Sequence, residues 1–226
     1  MTRRDLPQAL LLLAALLVLL GPALWTGRTY FLHDITNISH PWRVMVAERL
    51  ARGELPLWNP YTFLGMPLLG NLQTGAFFPL SAIFHLFPFA HALGPYLLAV
   101  HAMAAAGAYL WLRSLRLGRW PALGGAALFA AGGLMVGHMQ YPNLTSTVAM
   151  TPWMFLLADR PLLQGLASAA ALAAGYPPVW AGMTAAHFAL RWLWAAEPTP
   201  AGLAGAYLRL AAGTALGCAL GAVVLA

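Results

Sequence analysis

Charge is what this chain has least of. Of its 226 residues 8% are charged and 61% hydrophobic, where a soluble domain carries roughly a quarter charged residues. The chain therefore reads as an integral membrane protein. It has no lysine at all: 12 arginines face 6 acids, for a net charge of +6. In a soluble protein that balance would point to nucleic acid. Here most arginines border apolar runs, so membrane topology and lipid headgroups account for them, and no nucleic-acid partner is expected. The single cysteine, Cys218, excludes an intrachain disulfide framework and a Cys-rich metal site. Lying inside an apolar run, it reads as an inert core thiol. Also absent are a Gly-x-x-x-x-Gly-Lys phosphate loop, a Gly-x-Gly-x-x-Gly turn, a Gly-x-Ser-x-Gly elbow and a His-x-x-x-His pair. ATP-driven transport, hydrolase chemistry of the elbow type and a zinc site are not encoded. No internal repeat stands out.

What is there is a series of apolar runs. Segments 6–26, 90–112, 120–139, 143–158, 161–175, 177–195 and 202–226 are candidate spans, which predicts an all-α, polytopic transmembrane helical bundle of about seven spans. The first follows Met1-Thr-Arg-Arg-Asp5 and ends in Gly21-Pro22-Ala23, a poor cleavage site, so it reads as an uncleaved helix. If spans alternate, Arg3, Arg4, Arg113, Arg116, Arg119, Arg160 and Arg191 share one side, with Asp5, Asp159 and Glu197. The positive-inside rule makes that side cytoplasmic. The loop 27–89 and the turns at His138–Asn143 and Gly175–Pro178 then face out together. Residues 1–226 read as the N-terminal part of a longer transmembrane domain, because the apolar run from Gly213 reaches Ala226 with no polar flank. Gly217-Cys-Ala-Leu-Gly221 is a small-xxx-small motif, although chance also explains it in so Gly-rich a chain.

The outer loop holds the unusual chemistry. Residues 54–79 combine four prolines and three glycines with Trp58, Tyr61, Phe63, Phe77 and Phe78. No spanning helix tolerates the first set, and no solvated linker carries the second. The composition fits an ordered, irregular segment at the membrane surface. Upstream, Ser39 and Pro41 fit the start of a surface-lying helix with Trp42, Met45, Val46 and Leu50 on one face. Glu48 and Arg52 are spaced for an i,i+4 ion pair, while Arg49 projects from the apolar arc and must snorkel or meet an anion. Asp34 lies near the outer headgroup boundary, which suits a general base or metal ligand but equally a helix cap or solvated acid. Arg28, Arg43, Arg49 and Arg52 either reflect a loop long enough to escape the positive-inside trend or form a phosphate site. His33 adjoins Asp34, and His138 lies at an outer helix end. His101 and His187 lie within spans, where hydrogen bonds to neighbouring helices are expected.

The order Asp34, Pro41-Trp42, Gly53-Glu-Leu-Pro-Leu-Trp-Asn-Pro-Tyr-Thr-Phe-Leu-Gly-Met-Pro-Leu-Leu69 and Asn71-Leu-Gln-Thr-Gly-Ala-Phe-Phe-Pro79 resembles the N-terminal region of the YfhO-type bacterial membrane proteins, relatives of the GT-C glycosyltransferases. Gly137-His138, Thr151-Pro-Trp153 and Gly175-Tyr-Pro-Pro178 resemble the same family's outer helix ends. The resemblance implies a glycosyltransferase of the bacterial cytoplasmic membrane that moves a sugar from a polyprenyl-phosphate-linked donor to an envelope glycan or lipid acceptor on the outer face. It implies a catalytic role for Asp34, as general base or as ligand of a divalent metal, and donor-phosphate binding by Arg43 and Arg49. Trp58, Asn59, Tyr61, Asn71, Gln73 and His138 are the residues expected to shape the substrate site. No Asp-x-Asp pair is present, and no other cofactor is implied. Alternatives are a transporter or lipid flippase, or a non-catalytic envelope protein. Transporters place ionisable groups near mid-membrane, whereas the acids here avoid the apolar runs.

Overall fold

A computed structural model describes residues 6–25, 34–194 and 199–225. Arg3, Arg4, Asp5, Arg28, His33 and Glu197 lie outside the described residues. The fold is almost wholly helical, in keeping with a membrane protein: three helical stretches, Phe89–Ser114, Arg119–Gly137 and Pro200–Ala222, are long and apolar enough to cross a membrane.

The expectation of about seven spans is not met. The first helix, α1 (Leu6–Trp25), is apolar over Leu6–Pro22. The expected span at 143–158 is two short helices, α7 (Pro142–Ala149) and α8 (Thr151–Leu156), separated at Met150 just before Pro152. A proline ring cannot continue the hydrogen-bond ladder of the turn before it. Pro161 and Pro177 likewise start α9 (Pro161–Ala173) and α10 (Pro177–Leu190), of 13 and 14 residues. The second span, α4 (Phe89–Ser114), is central. Its buried residues, among them Leu93, Tyr96, Leu97, Val100, Ala104 and Ala108, form the core against α1, α5 (Arg119–Ala131), α7 and α8. A short α6 (Gly133–Gly137) follows an extended Gly132. Small residues set the closest approaches. A Cβ on Gly107 would lie 2.6 Å from the Trp153 indole nitrogen, which donates to the Met103 carbonyl at 3.0 Å.

The final helix, α11 (Pro200–Leu225), runs parallel to α9 in a register four residues deep. A Cβ on Gly213 would meet Gln164, one on Gly217 would meet Ser168, and one on Gly221 would meet Leu172. The small-xxx-small motif is therefore a packing face, extended one step upstream to Gly213. Cys218 falls one position past that face and is exposed, contrary to the buried thiol expected. This parallel register also sets Arg209 level with the start of α9, and residues 200–208 extend beyond it.

The outer-loop segment is ordered as expected but not wholly helical. Trp58–Asn59 (β1) pairs antiparallel with Met66–Pro67 (β2), closing a small hairpin. A five-residue π-helical turn (Ile35–Ser39) runs straight into α2 (His40–Ala51). Ser39 is therefore helical and makes no side-chain cap, unlike the start expected of it. The buried face of α2 is Arg43 and Val46, not the Trp42–Met45–Val46–Leu50 stripe. Short 3-10 turns (Leu72–Thr74 and Pro79–Ala82) and α3 (Ile83–Leu86) lead into α4.

The glycine ladder predicts opposite effects from one substitution type. Gly217→Ala puts a Cβ 2.5 Å from that of Ser168 and should cost about 1–3 kcal/mol by overpacking. Gly124→Ala, in α5 with nothing within 4 Å, should stabilise by up to about 1 kcal/mol through helix propensity. Thermal unfolding of both variants in detergent checks the pair.

Candidate functional site

The loop is fastened to the bundle at one end by backbone contact. Gly175 adopts φ +104°, and a Cβ there would lie 2.1 Å from the Leu72 carbonyl oxygen. Only glycine permits both the conformation and the approach. The Asn143 amide donates to the Gly175 carbonyl at 3.4 Å and is buried in doing so. The three segments expected to share a side, namely the loop and the turns at 138–143 and 175–178, thus meet at one end of the bundle. Between the first and last lies a cleft of about 340 Å³, lined by Gly70–Gln73 and Gly175–Pro178. Its side chains are amides (Asn71, Gln73), a phenol (Tyr176) and prolines, with no charge among them. The Asn71 carbonyl oxygen is held by the Gln73 backbone N–H at 3.2 Å. That leaves the Asn71 amino group and the Gln73 amide for a ligand. Such a lining suits a neutral, hydroxyl-rich molecule better than an ion.

Arg43 is the electrostatic centre of the loop. It is 3% exposed. Its guanidinium carbon lies 4.6 Å from the Phe84 ring centre and 4.9 Å from that of Tyr96. One terminal nitrogen donates to the Ser81 hydroxyl at 3.1 Å, and the other lies beneath Gly75, which has φ +60° and no room for a bulky side chain. Among the described residues no carboxylate forms an ion pair with Arg43, and its Nε has no hydrogen-bond partner. The two ring faces supply what a counter-ion would otherwise supply. Arg43 also borders a second, smaller cleft of about 190 Å³, between Val44, Ala47 and Glu48 on α2 and the Phe84–Phe89 segment. Partial burial, and secondarily the Arg43 charge, hold the His85 imidazole below the ordinary histidine range.

The other sequence-derived candidates fall in different places. Asp34 is half-buried and opens the helical run that continues into α2, without capping it. Arg49 pairs with Glu54 at 3.2 Å, and Arg52 approaches the same carboxylate at 3.9 Å. The expected Glu48–Arg52 pair does not form, because the chain reverses at Gly53 and brings Glu54 back over the last turn of α2. Asn59 is 1% exposed. Its amide is consumed inside the hairpin, accepting from Tyr61 N at 2.9 Å and donating to the Thr62 hydroxyl at 3.0 Å. Trp58 packs over Gly65, while Tyr61 stands fully out at the tip beside Phe63 and Leu64, both at positive φ. His138 bonds back to the Leu134 carbonyl at 2.9 Å, with its ring 6.2 Å from that of Tyr141. Asn71 and Gln73 are thus brought together with the turn at 175–178, whereas Asn59 is taken up by the scaffold. Ser81, Phe84, Tyr96 and Tyr176 were missed as site residues. Ser81 and Phe84 lay in the loop 27–89 and Tyr176 in the turn at 175–178, both marked by the sequence, whereas Tyr96 lay in an expected span. Among the described residues no group of three or more His, Cys, Asp or Glu side chains is placed to hold a metal ion. No family model, curated protein or solved structure matches the chain.

The Gly175 contact gives a sharp test of the loop's attachment. Gly175→Ala must move the Leu72 backbone or adopt a strained φ. Hydrogen exchange should rise by about tenfold or more over residues 70–75, with the far end of the bundle unchanged.

Proposed function

We propose that this chain is part of a glycosyltransferase of the bacterial cytoplasmic membrane, with residues 27–89 on the outer face and the N-terminus in the cytoplasm. It would move a sugar from a polyprenyl-phosphate donor to an envelope glycan or lipid acceptor. The observation that supports this best is the uncharged polar cleft of Asn71, Gln73 and Tyr176, where an ordered loop closes on the ends of membrane helices. Amide side chains and an aromatic ring are the groups that hydrogen-bond sugar hydroxyls and cover their C–H faces. The Asp34 carboxylate takes the proton of the acceptor hydroxyl as its oxygen attacks the anomeric carbon. The bond from that carbon to the lipid phosphate breaks, and the phosphate leaves with the electron pair. Arg43, which has no carboxylate partner among the described residues, would meet that charge, since Arg49 already has Glu54. The resemblance of residues 53–79 to the YfhO-type proteins supports the same reading.

One observation favours transport instead. His101 is fully buried in the middle of α4, its Nδ1 against the Leu97 carbonyl at 2.8 Å and its ring beside the Met135 backbone of α6. Buried ionisable groups within a span are the usual mark of a conducting path.

Membranes containing the protein, supplied with labelled polyprenyl-phosphate sugars, separate these readings. Asp34→Asn should reduce label transfer by about 10²-fold or more at equal protein level. Equal transfer by both proteins removes Asp34 from catalysis. No transfer by either, across several donors, favours transport.

A further inference from the structure

At the end of the bundle opposite the loop, three arginine-bearing segments meet on one carboxylate. Asp159 lies between α8 and α9, Arg191 opens the 3-10 turn Arg191–Trp194 after α10, and Arg209 lies in α11. Arg191 NH2 and Arg209 NH2 both donate to the same oxygen of Asp159, the latter at 3.2 Å, and Arg209 Nε reaches it at 3.3 Å. Among the described residues, two guanidiniums against one carboxylate leave the cluster positive, and Arg160 is exposed beside Asp159.

The surplus is not only of charge. Arg191 is fully buried, and its Nε has no acceptor. Around it the indole N–H groups of Trp111 and Trp194 and both ring nitrogens of His187 are also buried without partners. His187 lies 5.9 Å, centre to centre, from Trp194, whose carbonyl takes Arg191 NH1 at 3.2 Å. Buried polar groups are ordinarily satisfied. Here nearly all the unsatisfied ones are donors, so what the cluster lacks is an acceptor, and its net charge makes that acceptor an anion. Arg209 is about half exposed and supplies the way in. The parallel register of α9 and α11 sets it at the start of α9, where a headgroup would lie.

We propose that the Asp159–Arg191–Arg209 cluster binds a phosphate mono- or diester, a second anion site at the opposite end of the bundle from the loop. Basic pockets between membrane helices are suited to such headgroups. The site is independent of any sugar transfer.

Native mass spectrometry of the detergent-purified protein tests it with two probes, phosphatidylglycerol and inorganic phosphate, and with phosphatidylcholine as the reference lipid. One phosphatidylglycerol should be retained saturably and in preference to phosphatidylcholine. Arg209→Gln, which alters a half-exposed side chain, should weaken retention by about tenfold. Arg116→Gln removes an exposed charge from the neighbouring α4–α5 turn and should weaken it by less than about twofold at 0.15 M salt. Thermal unfolding in lipid-free detergent identifies the source. A stabilisation by millimolar inorganic phosphate that Arg209→Gln abolishes shows that free phosphate suffices. Lipid retention without that response assigns the site to a headgroup. Equal weakening by Arg209→Gln and Arg116→Gln, or no preference for phosphatidylglycerol together with no response to phosphate, overturns the proposal.

Discussion

A guanidinium buried without a carboxylate partner among the described residues organises the loop end of this protein. Arg43 joins three separate pieces of chain: α2, from which it projects; the Gly75–Phe84 stretch, which supplies Ser81 and one ring; and α4, which supplies Tyr96. Burying a charge is costly unless its donors and its field are both answered. Two ring faces and a hydroxyl answer most of it. Tyr96 carries the coupling further, because its hydroxyl is 2.6 Å from that of Ser146 on α7. A change at Arg43 is therefore felt through the loop, the central helix and the helix beginning at Pro142.

Along their length, α9 and α11 pack without charge. Between α9 and α11 the contact surface is backbone, with Gly213, Gly217 and Gly221 admitting Gln164, Ser168 and Leu172. In a bilayer no hydrophobic driving force favours helix association, so close packing must supply it. Glycine permits that packing at some expense in helix propensity. The two devices divide the molecule: ring-faced cation chemistry where the chain is irregular, and small-residue packing where it spans.

Sequence reading found the parts governed by composition and missed those governed by three-dimensional meeting. The helical class follows from apolar runs, and the ordered loop follows from proline and glycine among aromatics. Span number failed because the run 143–158 breaks ahead of Pro152, and because the runs opening at Pro161 and Pro177 make helices of only 13 and 14 residues. Glu48 and Arg52 carry a correct local spacing, but the reversal at Gly53 offered Glu54 to both arginines instead. Asn59 looked like a free polar group and is spent within its own hairpin. In each case a short-range rule lost to a contact made a few residues further on. Arg209 was missed for a related reason: inside a long apolar run a single arginine reads as an interruption, and only the register of α11 on α9 reveals its partner.

The two ends of the bundle answer a buried arginine in different ways, and the difference bears on function. At the loop end no carboxylate among the described residues pairs with Arg43, although Glu48 lines the same cleft. At the other end Asp159 neutralises one of two guanidiniums and keeps both at fixed positions. Asp159 is half exposed, and an ion pair open to solvent contributes little net stability. The structure therefore gains more from Asp159 in register than in free energy, since three segments that share one oxygen cannot slide independently. The polar cleft at 70–73 and 175–178 depends on that register. Its second wall, the turn after α9, is positioned by the same helix whose other end Asp159 holds.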